Sequence, residues 1–255
     1  MKITFRQRWI STFLRCPEQA RQEREGLVKQ KETSDLLRGN AVHYAIEMAG
    51  TSPIVKVNPP QLLDWVDEYI AENAHMVEEW RHSYEKIVDV CRANILVWHD
   101  EVWPQLGVPR AVERTFKKKI GKRKGVELWL SGTADWEDES GEIWDWKNPS
   151  RFYEPWEKRR WDIQSHAYCW ALGAEKFNLA VFANGQYQHI PIERNEADHK
   201  AFIDLCWSIV PLITADIKPW PMNWTGWHCS PKWCPVWQDG KCRGKHLGQG
   251  KPESW

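Results

Sequence analysis

The sequence predicts an α/β fold: a central mixed β-sheet flanked by helices, followed by an irregular segment rich in cysteine and tryptophan. Three observations predict it. Apolar residues recur at helical spacing in the N-terminal part, they alternate as in strands over residues 110–146, and the turn signal Asn184-Gly185 separates two further strand patterns. The 255 residues fit one large domain or two small ones and are enough to bury a core.

The N-terminal part, residues 1–109, is predicted to be mainly helical. A helix is expected up to Ala49, with Ser34 and Asp35 as cap candidates at its start and Gly50 after its end. Helical spacing of apolar residues predicts further helices over residues 61–80 and 83–103.

The middle part, residues 110–215, is predicted to be the core of the fold. Alternating apolar residues indicate an antiparallel meander of strands over residues 110–120, 126–135 and 142–146. A helix over 159–172, a β-hairpin around Asn184-Gly185 and a helix over 196–214 are expected to follow. Because no repeat or linker is recognisable, residues 1–255 are predicted to form a single domain.

The C-terminal part, residues 216–255, has a composition that does not favour regular structure. Proline, glycine, tryptophan and cysteine dominate it. No run in the chain is apolar enough to span a membrane and the N-terminus lacks a signal-peptide pattern, which predicts a cytoplasmic protein. In that compartment the seven cysteines are expected to be metal ligands or buried thiols rather than disulfides.

A predicted hairpin over residues 132–147 carries two carboxylates on facing strands. If the turn is centred on Ser140, Asp135 faces Asp145, and Lys147 lies on the same face. Opposed side chains are about 5 Å apart, so like charges there repel and a divalent cation is expected to neutralise them. The alternative is a charge ladder on a solvated hairpin face.

The order of motifs along the chain resembles the PD-(D/E)XK nuclease superfamily, in particular its RecB-like branch. The matching residues are Gly132 and Asp135 in G-x-x-D, Asp145 and Lys147 in D-x-K, Gln164 and Tyr168 in Q-x-x-x-Y, His43 on an upstream helix, and Glu113 at the first strand. Each motif is weak alone, but their order and spacing together are specific.

The resemblance implies a restriction-endonuclease-like core and a metal-dependent DNA nuclease, most simply an exonuclease. Its metal, Mg²⁺ or Mn²⁺, would be held by His43, Asp135, Asp145 and the backbone carbonyl of Trp146, which are ligands that suit these ions. Lys147 would orient water or stabilise charge on the phosphate. Gln164 and Tyr168 would position the strand or the nucleophile, and Glu113 would contact the metal site or a second metal.

Four cysteines, Cys16, Cys229, Cys234 and Cys242, resemble the ligand set of the iron–sulfur subgroup of these nucleases. The resemblance implies a [4Fe–4S] cluster that joins residues 216–255 to Cys16. The spacing C-x4-C-x7-C departs from the C-x2-C-x5-C common in the subgroup. Zinc, with His228 or His246 in place of Cys16, and reduced thiols in a tryptophan-rich cap are the alternatives.

The implied partner is DNA, as single strands or duplex ends. A basic stretch over residues 114–124 offers phosphate contacts, although the formal net charge of the chain is zero. The chain has no GxxxxGK[ST] P-loop, so any unwinding, annealing or recombination step would need a separate protein. Phage recombination, DNA repair and CRISPR spacer acquisition all suit such an enzyme. The alternative function is an inactive, metal-stapled module that binds nucleic acid or a partner.

Overall fold

The structure is a computed structural model that describes residues 1–52, 57–226 and 228–244. In chain order the elements are β1 (Lys2–Arg6), α1 (Gln7–Arg15), α2 (Pro17–Arg24), α3 (Ser34–Thr51), α4 (Pro59–Asn73) with a 3₁₀ turn (Ala74–Met76), α5 (Tyr84–Val97) with a π turn (Trp98–Val102), α6 (Trp103–Leu106), β2 (Ala111–Arg123), β3 (Val126–Glu137), β4 (Ile143–Lys147), α7 (Pro155–Trp161), α8 (Ile163–Leu172), β5 (Lys176–Ala183), β6 (Gln186–Glu193), α9 (Glu196–Thr214) and α10 (Pro235–Gln238).

The six strands form one mixed sheet, as predicted. Along one edge of β3 runs β2, antiparallel to it. The other edge of β3 pairs first with β1, in parallel, and then with β4, antiparallel. The sheet continues from β4 to a parallel β5 and ends with β6, which is antiparallel to β5.

Helices cover both faces of this sheet. On one face, residues such as Leu130 and Phe177 pack in a core with α1, α8 and α9. On the other face, Trp136 and Trp146 pack in a second core with α3, α4 and α5. The predicted fold class, a central mixed sheet flanked by helices, is therefore confirmed.

The irregular tail is attached to the start of the chain. Trp220 is buried, and its ring contacts the ring of Phe13 edge-on, with 5.8 Å between the centroids. Its backbone N–H donates to Oε2 of Glu18 over 2.9 Å. Of the predicted tail residues, His246 lies outside the described residues. Among the helices that the structure describes, none combines the length and hydropathy needed to cross a bilayer.

Candidate active site

The site lies where β3 exchanges one neighbour for another. On this edge, β1 pairs with β3 as far as Ser131 and β4 begins to pair at Trp136. Within the described part of the chain, residues 132–134 have a strand neighbour on the β2 side alone. The pairs Trp136–Trp144 and Glu137–Ile143 give the predicted hairpin register, in which Asp135 and Asp145 would come next. The ladder stops there, and Oδ2 of Asp135 accepts from the backbone N–H of Trp146 over 3.0 Å.

Three side chains converge at this break. His43 of α3, Glu113 of β2 and Asp135 of β3 each offer a ligand atom, and these atoms all lie within 4.8 Å of one another. Burial and the nearby carboxylate of Asp135 raise the pKa of Glu113 to about 7. A divalent cation would relieve this repulsion, and carboxylate and imidazole are donors that suit Mg²⁺ or Mn²⁺.

The contacts of His43 also favour a cation. Nε2 lies 2.7 Å from the carbonyl oxygen of Trp146 and Nδ1 lies 3.4 Å from Oδ2 of Asp135. A neutral imidazole that donates from Nε2 presents a lone pair at Nδ1 to the carboxylate. A proton or a metal ion between these two atoms would make that contact favourable. The residues present therefore fit a metal site.

Asp145 lies beside this group of three but has its own partners. Its carboxylate, 1% exposed, forms an ion pair with Lys147 and accepts from the side-chain amide of Gln164. A solvated charge ladder is thus wrong for this residue. Burial raises the pKa of Asp145, and the Lys147 ammonium opposes that rise. Burial alone would lower the pKa of Lys147, but Asp145 and Asp135 reverse the shift and raise it.

Tyr168 closes the site from the α8 side. Its ring is buried and packs edge-on against Phe116, with 5.3 Å between the centroids. Burial, followed by the charge of Asp145, raises its pKa well above the usual range, so the phenol stays protonated. Gly132 is required beneath these rings, because a Cβ atom there would lie 2.8 Å from Phe116 and 3.0 Å from Tyr168.

Two residues of α3 that the sequence analysis did not single out also belong to the surroundings of the site. Glu47 lies one helical turn after His43, and its charge contributes to the raised pKa of Glu113. The buried Arg38 donates from Nε to the carbonyl of Asn148, directly after Lys147, over 3.1 Å. The i, i+4 spacing of His43 and Glu47 was the signal in the sequence that could have identified the first of them.

The four predicted cluster cysteines converge at a second place. Cys16 lies between α1 and α2, and it lines one small cavity together with Cys229, Cys234 and Cys242. None of the four forms a disulfide. Burial raises the pKa of Cys234 to about 11. His228, offered above as a substitute ligand, lines the same cavity.

A profile of the PD-(D/E)XK nuclease superfamily matches residues 7–238. The chain belongs to that superfamily. No curated protein matches the sequence. A protein of Eubacterium rectale named "putative exonuclease" has a solved structure that is 12% identical and covers 88% of this chain and 86% of its own, with a TM-score of 0.56. The structure of SSO0001 is 15% identical and covers 92% of this chain and 97% of its own, with a TM-score of 0.40.

The motifs that carry the resemblance to this superfamily lie together in the structure. Asp135, Asp145 and Lys147 lie around the break in the sheet, and α8 brings Gln164 and Tyr168 to it. The structure thus brings together all the residues that the sequence predicted for the catalytic site. Asp145 and the Trp146 carbonyl lie beside the group formed by His43, Glu113 and Asp135, and the carbonyl contacts His43 directly.

Proposed function

We propose that this PD-(D/E)XK nuclease is a metal-dependent deoxyribonuclease that acts as an exonuclease in DNA recombination, repair, or the processing of phage or CRISPR DNA. One observation carries the proposal: the group of His43, Glu113 and Asp135 lies beside the half-buried Lys147 at an opening in the sheet. The name of the E. rectale protein agrees with the exonuclease part of this proposal.

His43, Glu113 and Asp135 would hold Mg²⁺ or Mn²⁺, with Asp145 and the Trp146 carbonyl as the further ligands that the family resemblance implies. When bound, such an ion lowers the pKa of a coordinated water and offsets charge on the phosphate. Lys147 supplies a fixed positive charge, held in place by Asp145, for a phosphate or a water. Gln164 orients Asp145 through its amide, and protonated Tyr168 can donate to an anionic group.

We also propose that Cys16, Cys229, Cys234 and Cys242 hold a [4Fe–4S] cluster. The sulfur atoms of a tetrahedral zinc site are about 3.8 Å apart, since each Zn–S bond is about 2.3 Å long. Within the described ranges, no three of the cavity's thiols or imidazoles have ligand atoms that all lie within 4.8 Å of one another. This result favours a cluster of several atoms over one zinc ion, and four thiolates are the usual ligands of a [4Fe–4S] cluster.

The nuclease proposal is tested with end-labelled DNA. Linear single-stranded and duplex DNA, circular DNA and an RNA of the same sequence are incubated with Mg²⁺, Mn²⁺ or EDTA. We expect metal-dependent loss of linear DNA and survival of circles. The Asp135→Asn and Lys147→Met variants should be inactive, whereas Asp204→Asn and Lys200→Met, which alter an exposed ion pair, should match the wild type.

The other outcomes separate the parts of the proposal. Cleavage of circular DNA would contradict the exonuclease assignment but support a nuclease. Preference for RNA would overturn the DNA substrate. Binding of DNA with no cleavage under any metal condition would reject the enzyme and favour the inactive binding module.

A further inference from the structure

One half of a sheet face is open to solvent and polar. On β3, Trp129, Ser131 and Thr133 alternate with the core residues Leu128 and Leu130, so they point away from the core formed with α1, α8 and α9. The helices α3, α4 and α5 pack over Trp136 and Trp146, farther along the sheet. Among the described residues, this part of the face has no apolar cover, and its side chains are exposed or half-buried.

The neighbouring strands place cations on this face in register. Lys119 pairs with Trp129 and Lys117 with Ser131 across β2 and β3, while Arg6 pairs with Ser131 from β1. We call this surface the open face and define it by Lys2, Arg6, Lys117, Lys119, Trp129 and Ser131. Its four cations are exposed. One carboxylate accompanies them, that of Glu127, which lies 2.8 Å from the ammonium of Lys119.

Trp129 holds two of these cations over its ring. The ammonium of Lys2 lies 4.8 Å from the ring centroid and that of Lys119 lies 5.8 Å from it. A cation over an aromatic ring is attracted by the negative face of the ring. Flexible lysine side chains are thereby kept at the surface of the sheet, which lowers the entropy that a ligand must remove.

The open face leads directly to the site. Beyond Lys117 and Ser131 the next pair on this face is Thr115 with Thr133, and two residues farther along the two strands come Glu113 and Asp135 of the site. A strand rises about 3.4 Å per residue, so about 20 Å separates Trp129 from Asp135. A row of cations that ends at a metal site matches a polyanion whose charge repeats along its length.

We propose that the open face binds the phosphate backbone of a single DNA strand and directs that strand along β3 to the site at Asp135. The proposal rests on the proposed nuclease function. In this arrangement the phosphates contact Lys117 and Lys119 on one side of the strand and Arg6 on the other, and Trp129 positions Lys119. Because the contacts are made to phosphate, binding is independent of base sequence.

The test measures binding of a fluorescent single-stranded oligonucleotide to the full chain in EDTA, over a range of salt concentrations. The Lys117→Gln/Lys119→Gln variant loses two cations of the open face. The matched control, Lys86→Gln/Lys200→Gln, loses two exposed lysines of α5 and α9. We expect the Kd of the first variant to rise about tenfold, and the slope of log K against log salt to fall by about 1.4. The control should match the wild type in both quantities.

Equal binding by the two variants, or a wild type that does not bind in EDTA, would overturn the proposal that the open face binds the DNA strand (the track proposal). Cleavage assays on the same proteins keep this result apart from the nuclease proposal. A wild type that cleaves DNA but shows no difference between the variants would reject the track alone. Selective weakening of binding without any cleavage would support the track and reject the nuclease.

Discussion

Glu113 and Asp135 occupy facing positions in β2 and β3 without forming a pair of the ladder, and the backbone of Glu113 has a φ of 49°. The flanking pairs, Val112–Trp136 and Arg114–Ala134, are regular. A left-handed conformation is uncommon for a residue with a side chain and costs about 1 kcal/mol or more. The strained position is the one at which two carboxylates and His43 come together. This unfavourable backbone conformation at Glu113 is consistent with a role of its carboxylate in binding a ligand.

Replacing Glu113 with Gln should stabilise the metal-free protein and reduce the stabilisation that a bound metal ion provides. In EDTA we expect the free energy of unfolding to rise by about 1 kcal/mol, because a half-buried charge that Asp135 repels is removed. With Mn²⁺ the variant should gain less stability than the wild type, and its Kd for Mn²⁺ should rise at least about tenfold. Denaturant titrations and calorimetry measure both quantities. An unchanged Mn²⁺ affinity would exclude Glu113 as a ligand.

Lys147 and Asp145 should behave as an energetically coupled pair. Lys147→Met leaves a carboxylate that is 1% exposed without its counter-charge, and we expect a loss of about 3 kcal/mol in the free energy of unfolding. The double variant Asp145→Asn/Lys147→Met removes both charges and should recover much of that loss. Urea unfolding of the four proteins in the cycle gives the coupling energy. Additive effects would mean that the ion pair does not stabilise the fold.

His166 of α8 should make the fold sensitive to acid. Burial, followed by the charge of Arg194, lowers the pKa of His166 to about 4. In the unfolded chain an imidazole binds a proton below about pH 6.5, so between pH 6.5 and 4 the unfolded state binds more protons. Stability contributed by the neutral imidazole is therefore present above pH 6.5 and lost as the pH falls. Because the side chain is partly exposed, we expect a loss of about 2 kcal/mol.

The measurement compares the free energy of unfolding at pH 7.5 and pH 5 for three proteins. His166→Gln should reduce the wild-type difference between the two pH values. His82→Gln, at an exposed position, is the control and should keep that difference. If His166→Gln keeps the full wild-type difference as well, the acid sensitivity arises elsewhere.

The sequence was sufficient for elements whose ends carry their own signals. The predicted helix over residues 196–214 is α9 as observed, because Asn195 and Asp198 form a reciprocal capping box. The hairpin at Asn184 and Gly185 is also confirmed, and both residues have the positive φ, 51° and 75°, that such a turn requires. The helix predicted to start at Ser34 does so, but Thr33 is its cap and accepts from the N–H of Leu36.

The features that could not be predicted from sequence patterns depend on contacts between residues that are far apart in the chain. β1 is missing from the predictions because five residues with two buried side chains carry too little periodicity, and the strand is held by its pairing with β3. Glu113 was assigned to the metal site through the family resemblance alone, because periodicity does not encode the backbone irregularity at the position where it meets His43 and Asp135. The charge of Asp145, which the sequence analysis assigned to a cation, is balanced by Lys147 in the structure.

Anaerobic purification should give a brown protein with about four iron atoms per chain, if the cysteine cavity holds the proposed cluster. Cys229→Ser should lose the colour and the iron and unfold at a lower temperature, because the tail loses the ligand that orders it. Cys169→Ala is the control, since Cys169 is buried in α8 away from the cavity, and it should keep the iron. A colourless wild type with stoichiometric zinc would contradict the cluster and support the alternative metal.

Gly132 should be intolerant of even one methyl group, although it lies in a strand where glycine is not required by φ. An added Cβ would lie 2.8 Å from the ring of Phe116 and 3.0 Å from that of Tyr168. Both rings are fixed in the core, so we expect Gly132→Ala to lower the free energy of unfolding by about 1–3 kcal/mol. Displacement of Tyr168 would also disturb Gln164, and nuclease activity should fall by more than the loss of folded protein explains.

The matched substitution is Gly39→Ala in α3, where an added Cβ would meet no atom within 4 Å. Alanine is favoured over glycine inside a helix, so this variant should be more stable than the wild type by about 0.5–1 kcal/mol. Thermal unfolding and activity are measured on both variants at equal concentration. Opposite signs of the two stability changes would support steric exclusion by the Phe116 and Tyr168 rings. A stable, fully active Gly132→Ala protein would mean that the rings can shift, and that Tyr168 is not held in place by contact with this strand.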